Sequence, residues 1–239
     1  MYQIRKTYIK PDMKMSDLIF ENPSLLIMLE HFDIDLVFQD KSVQQICREN
    51  GIGEAVFLAI ANLYNGFIPS GLELLNREEA APIISFLQHS HKFYLNEKIP
   101  EIQDLLDVIL IRDKRMEVGL VKRFFQEYYQ EVKEHLDYED EIAFPYFHDL
   151  IRQKKSSGDG KVKFSVKEYR DHHTDIETKV ADMKKLFVSY ISLKNERLVK
   201  RKLLFSLFEL EHDLNIHSVI EELILIPMIR KIEKEWSGE

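Results

Sequence analysis

The stretch His135-Leu-Asp-Tyr-Glu139-Asp-Glu-Ile-Ala-Phe-Pro145 decides how this chain is read. A histidine and a glutamate stand four residues apart, followed by an apolar run closed by proline. The pattern returns as His217-Ser-Val-Ile-Glu221-Glu-Leu-Ile-Leu-Ile-Pro227. Both copies read His-x3-Glu-acidic-x-Ile-x-apolar-Pro. On a helix, positions i and i+4 share a face, with Cβ atoms about 5–6 Å apart. Imidazole and carboxylate then point the same way, as one metal ion requires. Two such helices facing each other would supply a two-metal site.

Spacing alone is weak support. The chain has nine histidines, and roughly one accidental His-x3-Glu pair is expected in a sequence this rich in glutamate. Three occur, at 135/139, 173/177 and 217/221. Register adds more. His91 to His135 and His173 to His217 are both 44 residues, and His91 to His173 and His135 to His217 are both 82. The chain therefore reads as two copies of a helical hairpin, each with a lone histidine on its first helix and His-x3-Glu on its second. This pairing favours His91 over His89 and His173 over His172. A one-residue bulge would swap either choice. A single histidine on an apolar stripe is ordinarily a hydrogen-bonded core residue. Four imidazoles and two carboxylates converging without a metal would carry a large desolvation cost.

The rest of the chain supplies the frame. Its 239 residues are 45% hydrophobic, with eight glycines and seven prolines. Leu, Ile, Glu and Lys are abundant and Val and Thr sparse, which favours helix over sheet. The net charge of −8 argues against a nucleic-acid partner, and the basic run from Lys194 to Lys202 reads as a solvated helix face. Cys47 is the one cysteine, so an internal disulfide and a thiolate metal site are excluded. No segment reaches the roughly 18 uninterrupted apolar residues of a membrane span, and a cytoplasmic protein is expected.

In chain order, residues 1–66 read as a small domain of short helices, with Ser16, Pro23 and Ser42 at helix starts and Gly51 at a helix end. Residues 67–76 read as a linker. Asn76 opens the second domain, 77–239, as four long helices with short connections, an up-down-up-down four-helix bundle. The first has the stripe Ile84, Leu87, His91, Leu95, Ile102, and Pro100 must kink or interrupt it. The second has Val121, Phe124, Phe125, Tyr128, Val132, His135, Glu139 and Ile142. The third follows Ser165, with Tyr169, His173, Ile176, Val180, Met183 and Phe187. The fourth has Leu203, Leu207, Leu210, Leu214, His217 and Glu221. Four nitrogen and two oxygen donors suit iron, or manganese, better than zinc, magnesium or calcium.

Residues 80–235 resemble a haemerythrin-like (HHE) cation-binding domain. The residues that carry the resemblance are His135-Leu-Asp-Tyr-Glu139 with Phe144-Pro145, Asp171-His-His173, and His217-Ser-Val-Ile-Glu221 with Pro227. The segment from His91 to Ile102 is similar to that family's first ligand helix, its histidine one step farther from the proline. The whole chain resembles the di-iron "repair of iron centres" proteins, also known as regulators of cell morphogenesis and nitric-oxide signalling. Met13-Lys-Met-Ser-Asp-Leu18 and Leu29-Glu-His-Phe-Asp-Ile-Asp35 are similar to their opening domain. Their usual cysteine pair is replaced here by Leu36-Val37-Phe38-Gln39.

The resemblance implies an oxo/carboxylate-bridged centre of two iron ions. His91, His135, His173 and His217 would be terminal ligands, and Glu139 and Glu221 would bridge. It implies repair of iron–sulfur proteins damaged by nitrosative or oxidative stress. The alternative is a non-enzymatic O2- or NO-binding sensor or iron-binding protein. A homodimer is compatible with either reading.

Overall fold

The computed structural model describes residues 7–113, 115–152, 169, 176–193 and 196–237. Among them there is no β-strand, only an isolated bridge between Lys14 and Ser42. None of their helices is long and apolar enough to cross a membrane. The helices are α1 (Met15–Glu21), α2 (Leu25–His31), α3 (Val43–Asn50), α4 (Glu54–Tyr64), α5 (Ala80–Phe93), α6 (Ile99–Arg112), α7 (Met116–Tyr138), α8 (Phe144–Ile151), α9 (Ile176–Ser189), α10 (Arg197–Ile220) and α11 (Ile226–Ser237). Contacts divide the chain into two compact units.

The first unit comprises Met1–Ser90, Phe144–Val166 and Ile216–Glu239. Local chemistry sets its helix ends. Ser42 Oγ accepts the Gln45 amide while the Gln45 side chain accepts the Ser42 amide, and Asn76 with Glu79 forms the same reciprocal cap. Gly51 ends α3 at φ 65°, a left-handed conformation that costs glycine nothing. Ser16, expected as a cap, lies inside the first turn of α1. Leu25, Met28, Phe57 and Ile60 are fully buried where α2 meets α4. Phe32 stacks on Phe57 at 5.2 Å and leans on Phe86 of α5 at 4.7 Å. Buried Asn62 holds the arm before α1: its Oδ1 accepts Ile9 N–H at 2.7 Å, and its Nδ2 donates to Ile9 O at 3.1 Å and Leu58 O at 2.9 Å. Helix α8 packs on α11.

Cys47 is 2% exposed in this unit. Burial, with nearby Glu54, pushes its thiol up to about 12. Thiolate is the nucleophile, so a disulfide reagent at pH 8 is expected to leave the native protein unlabelled and to titrate one thiol after unfolding. Labelling of the native protein within minutes would contradict this.

The second unit comprises His91–Ala143 and Lys167–Asn215. Helix α6 packs on α7, and α7 on α9. Phe125, Tyr128, Val132 and Leu136 of α7 are buried, as are Val180, Met183 and Phe187 of α9. Tyr94 O–H donates to the buried Asp213 carboxylate at 2.7 Å. Lys98 is held by Glu101 at 2.7 Å and by Glu209.

Three prolines, Pro100 among them, where a kink or interruption is expected, lie within helical segments. Each is preceded by one wide π turn: Tyr94–Lys98 before Pro100, Glu139–Ala143 before Pro145, and Glu221–Leu225 before Pro227. A proline collides with the carbonyl four residues back and offers no N–H. A π turn moves that carbonyl aside, so the helix continues. The extra residue also shifts the buried face. Ile142, expected on the core stripe, is 43% exposed, while Ala143, Phe144 and Phe147 are buried.

Candidate metal centre

Glu139 and Glu221 each sit at the first position of a π turn, and both are completely buried. The helices deliver their partners. In the second unit, His91 on α5 places Nε2 3.2 Å from Glu139 Oε2. His135, one α7 turn before Glu139, places Nε2 3.2 Å from Oε1. Each carboxylate oxygen thus faces a different imidazole. Tyr169 O–H donates to Oε1 at 2.8 Å, and Asp140 Oδ2 lies 3.1 Å from His91 Nδ1. Burial pushes His91 down, but hydrogen bonds to Asp140 and Glu139 outweigh it and raise it to about 9. Burial raises Glu139, but His135 and His91 hold it well below the usual carboxylate range.

In the first unit, His217 Nε2 stands 3.5 Å from Glu221 Oε1. The other ring nitrogen, Nδ1, is 2.8 Å from Ser90 Oγ. Ser90 gives its hydroxyl proton to Leu87 O at 2.7 Å, so it accepts from His217 Nδ1–H. His217 Nε2 and Glu221 Oε1 thus face each other, a pair of groups able to share a cation.

The spacings are compatible with a metal ion between the donors. Charge-assisted N–H···O bonds run about 2.7–2.9 Å, and Lys14–Asp40 and Arg112–Glu196 are both 2.7 Å in this protein. The His–Glu separations of 3.2, 3.2 and 3.5 Å are longer. Two donors about 2.0–2.2 Å from one ion, at right angles or somewhat wider, stand about 3.0–3.5 Å apart. His91 and Glu139 are buried groups of the kind able to hold a metal cation. Iron-type ions take such mixed imidazole and carboxylate donors.

His89 lies elsewhere: its Nδ1 is 2.9 Å from His31 O, at the end of α2. His89→Ala is expected to keep its metal and to lose about 1 kcal/mol of stability, whereas His91→Ala is expected to lose metal. Metal-to-protein ratios of the two variants check this; the reverse pattern would move the ligand to position 89. His172 and His173 lie outside the described residues.

Three supporting groups escaped the sequence reading. Asp140 had a signal, the acid that follows glutamate in both motif copies. Tyr169 stood on the expected stripe without a role. Ser90 had none, since a serine beside a histidine is commonplace.

No match was found among curated proteins or solved structures. Residues 83–229, more than half of the chain, match the Hemerythrin HHE cation binding domain. The two His-x3-Glu pairs, set on helices at buried π turns, fall within these residues, and the chain belongs to the hemerythrin HHE family with its all-α bundle fold.

Proposed function

We propose that this chain is a cytoplasmic di-iron protein of the repair-of-iron-centres kind, acting on iron–sulfur proteins damaged by nitrosative or oxidative stress. The observation that carries the metal centre is Glu139, whose two oxygens face two imidazoles at the same 3.2 Å. A carboxylate so flanked can bridge two ions. His91, His135, His173 and His217 would be the terminal donors, with Glu139 and Glu221 between the ions. His173 is included on its spacing of 82 residues from His91 and 44 from His217. We also propose that residues 1–66 form a helical domain joined through 67–76 to a bundle domain, 77–239.

When bound, iron supplies one-electron chemistry and positions for small ligands such as O2 or NO. The chain's own residues prepare that site. Ser90 and Asp140 orient the rings of His217 and His91, and Tyr169 holds Glu139 in place. Leu136, one turn before Glu139, is buried with it.

Protein made with iron available is expected to carry about two irons per chain. Elemental analysis and the visible spectrum test this, and one zinc with no iron would sink it. The loaded protein is then added to a nitrosylated iron–sulfur enzyme. Restored activity supports repair; reversible NO or O2 binding without restoration supports a sensor.

A further inference from the structure

Helix α10 carries two apolar stripes. Leu203, Leu207, Leu210 and Leu214 are buried in the second unit. Phe205 lies two residues from Leu203 and two from Leu207, about 200° around the helix axis, so it faces away from that core. It is 67% exposed, and Phe208 is 50% exposed. A helix that is apolar on both faces ordinarily has both covered. Arg197, Lys200, Arg201, Leu204, Phe205 and Phe208 line an open groove of about 330 Å3 on this outer face.

The charges around Phe205 are ordered along the helix. Positions 201, 205 and 209 share one face at four-residue spacing, and they read Arg, Phe, Glu. From Arg197 to Phe208 there are four basic residues and no acidic ones, in a chain of net charge −8. Arg201 is exposed. The acidic half begins at Glu209, whose side chain is 44% exposed and shares Lys98 with Glu101. Two carboxylates about one ammonium leave that cluster net negative. The stripe is thus positive on one side of an exposed aromatic and negative on the other.

We propose that this stripe is where a second copy of the chain docks, helix against antiparallel helix, about a two-fold axis passing between the two Phe205 side chains. A two-fold contact uses the same patch on both molecules, so the patch must complement itself. Turned end for end, Arg201 of each copy comes opposite Glu209 of the other, and each Phe205 enters the other's groove. A parallel pairing would set Arg201 on Arg201 and Glu209 on Glu209, so the order of charges fixes the direction. None of the proposed metal donors lies on this stripe.

The plainer account is a solvated basic face with two stray aromatics, since single exposed apolar residues are ordinary. On that account the chain is a monomer and Phe205 is indifferent to substitution.

The test is sedimentation velocity of the full-length protein across the micromolar range. The unaltered protein is expected to sediment as a dimer that weakens at high salt, because its rim charges are exposed. Phe205→Glu is expected to weaken the dimer at least about tenfold, as befits the centre of an interface, and Arg201→Glu is expected to weaken it likewise. Combining Arg201→Glu with Glu209→Arg restores opposite charges across the two-fold and is expected to bring the dimer back, a rescue that a merely structural role would not produce. A monomer throughout the range overturns the proposal, as does a dimer unmoved by Phe205→Glu. Circular dichroism confirms the fold of each variant; if the double reversal does not fold, Phe205→Glu alone decides. Binding of the unaltered monomer to anionic phospholipid vesicles, lost in Phe205→Glu, would give the face to a lipid surface and overturn the pairing.

Discussion

Glu139→Ala protein is expected to come off purification with almost no metal, not with one ion of two. Both Glu139 oxygens are engaged, Oε2 facing His91 and Oε1 facing His135. Removing the carboxylate therefore opens two coordination spheres at once. The helices are expected to survive the change. Far-ultraviolet circular dichroism checks that point separately from metal content. Glu221→Ala should behave likewise. Retention of one ion at full occupancy in Glu139→Ala would make this carboxylate a terminal ligand. Two ions with an unchanged spectrum would remove it from the site altogether.

The second large effect is expected far from the metal. Asn62 is completely buried, and its amide meets the Ile9 backbone from both sides while donating to Leu58 O. Asn62→Asp changes the shape very little. It replaces the donating nitrogen with an oxygen aimed at two carbonyl oxygens. One buried charge without a partner costs about 3–5 kcal/mol, which should appear as a large drop in the urea midpoint at pH 7. The sign of the pH dependence follows. Burial raises the introduced carboxyl's pKa in the folded state above its unfolded value, so the fold binds the extra proton more readily. The loss should therefore shrink as pH falls toward the unfolded value and be greatest above the folded one. A midpoint within a few tenths molar of the unaltered protein would mean that the arm before α1 is not held by Asn62.

Much of the architecture was legible because helix signals are local. The caps at Ser42 and Asn76 and the stop at Gly51 each depend on a few neighbouring residues. The proposed ligand pairs stood out for a different reason: His-x3-Glu occurs twice in the same apolar context, with the same acidic residue and proline after it. What escaped depends on contacts between segments distant in sequence. Tyr169 reaches Glu139 across 30 residues, and Ser90 reaches His217 across 127. No local pattern announces either bond. The phase error at Ile142 arose because a stripe counted at 3.6 residues per turn cannot cross a turn that holds one residue more.

Those wide turns tie the glutamates and the prolines into single heritable units. Shortening 139–143 by one residue would restore ordinary winding and bring Pro145 against the carbonyl behind it, at about 3 kcal/mol. Replacing Pro145 alone would remove the obstacle that makes the wide turn worthwhile, leaving Glu139 free to slip toward ordinary winding and Phe147 to rotate off the core. The same holds at 221–227, so the proline of each motif belongs to the local geometry that places its glutamate.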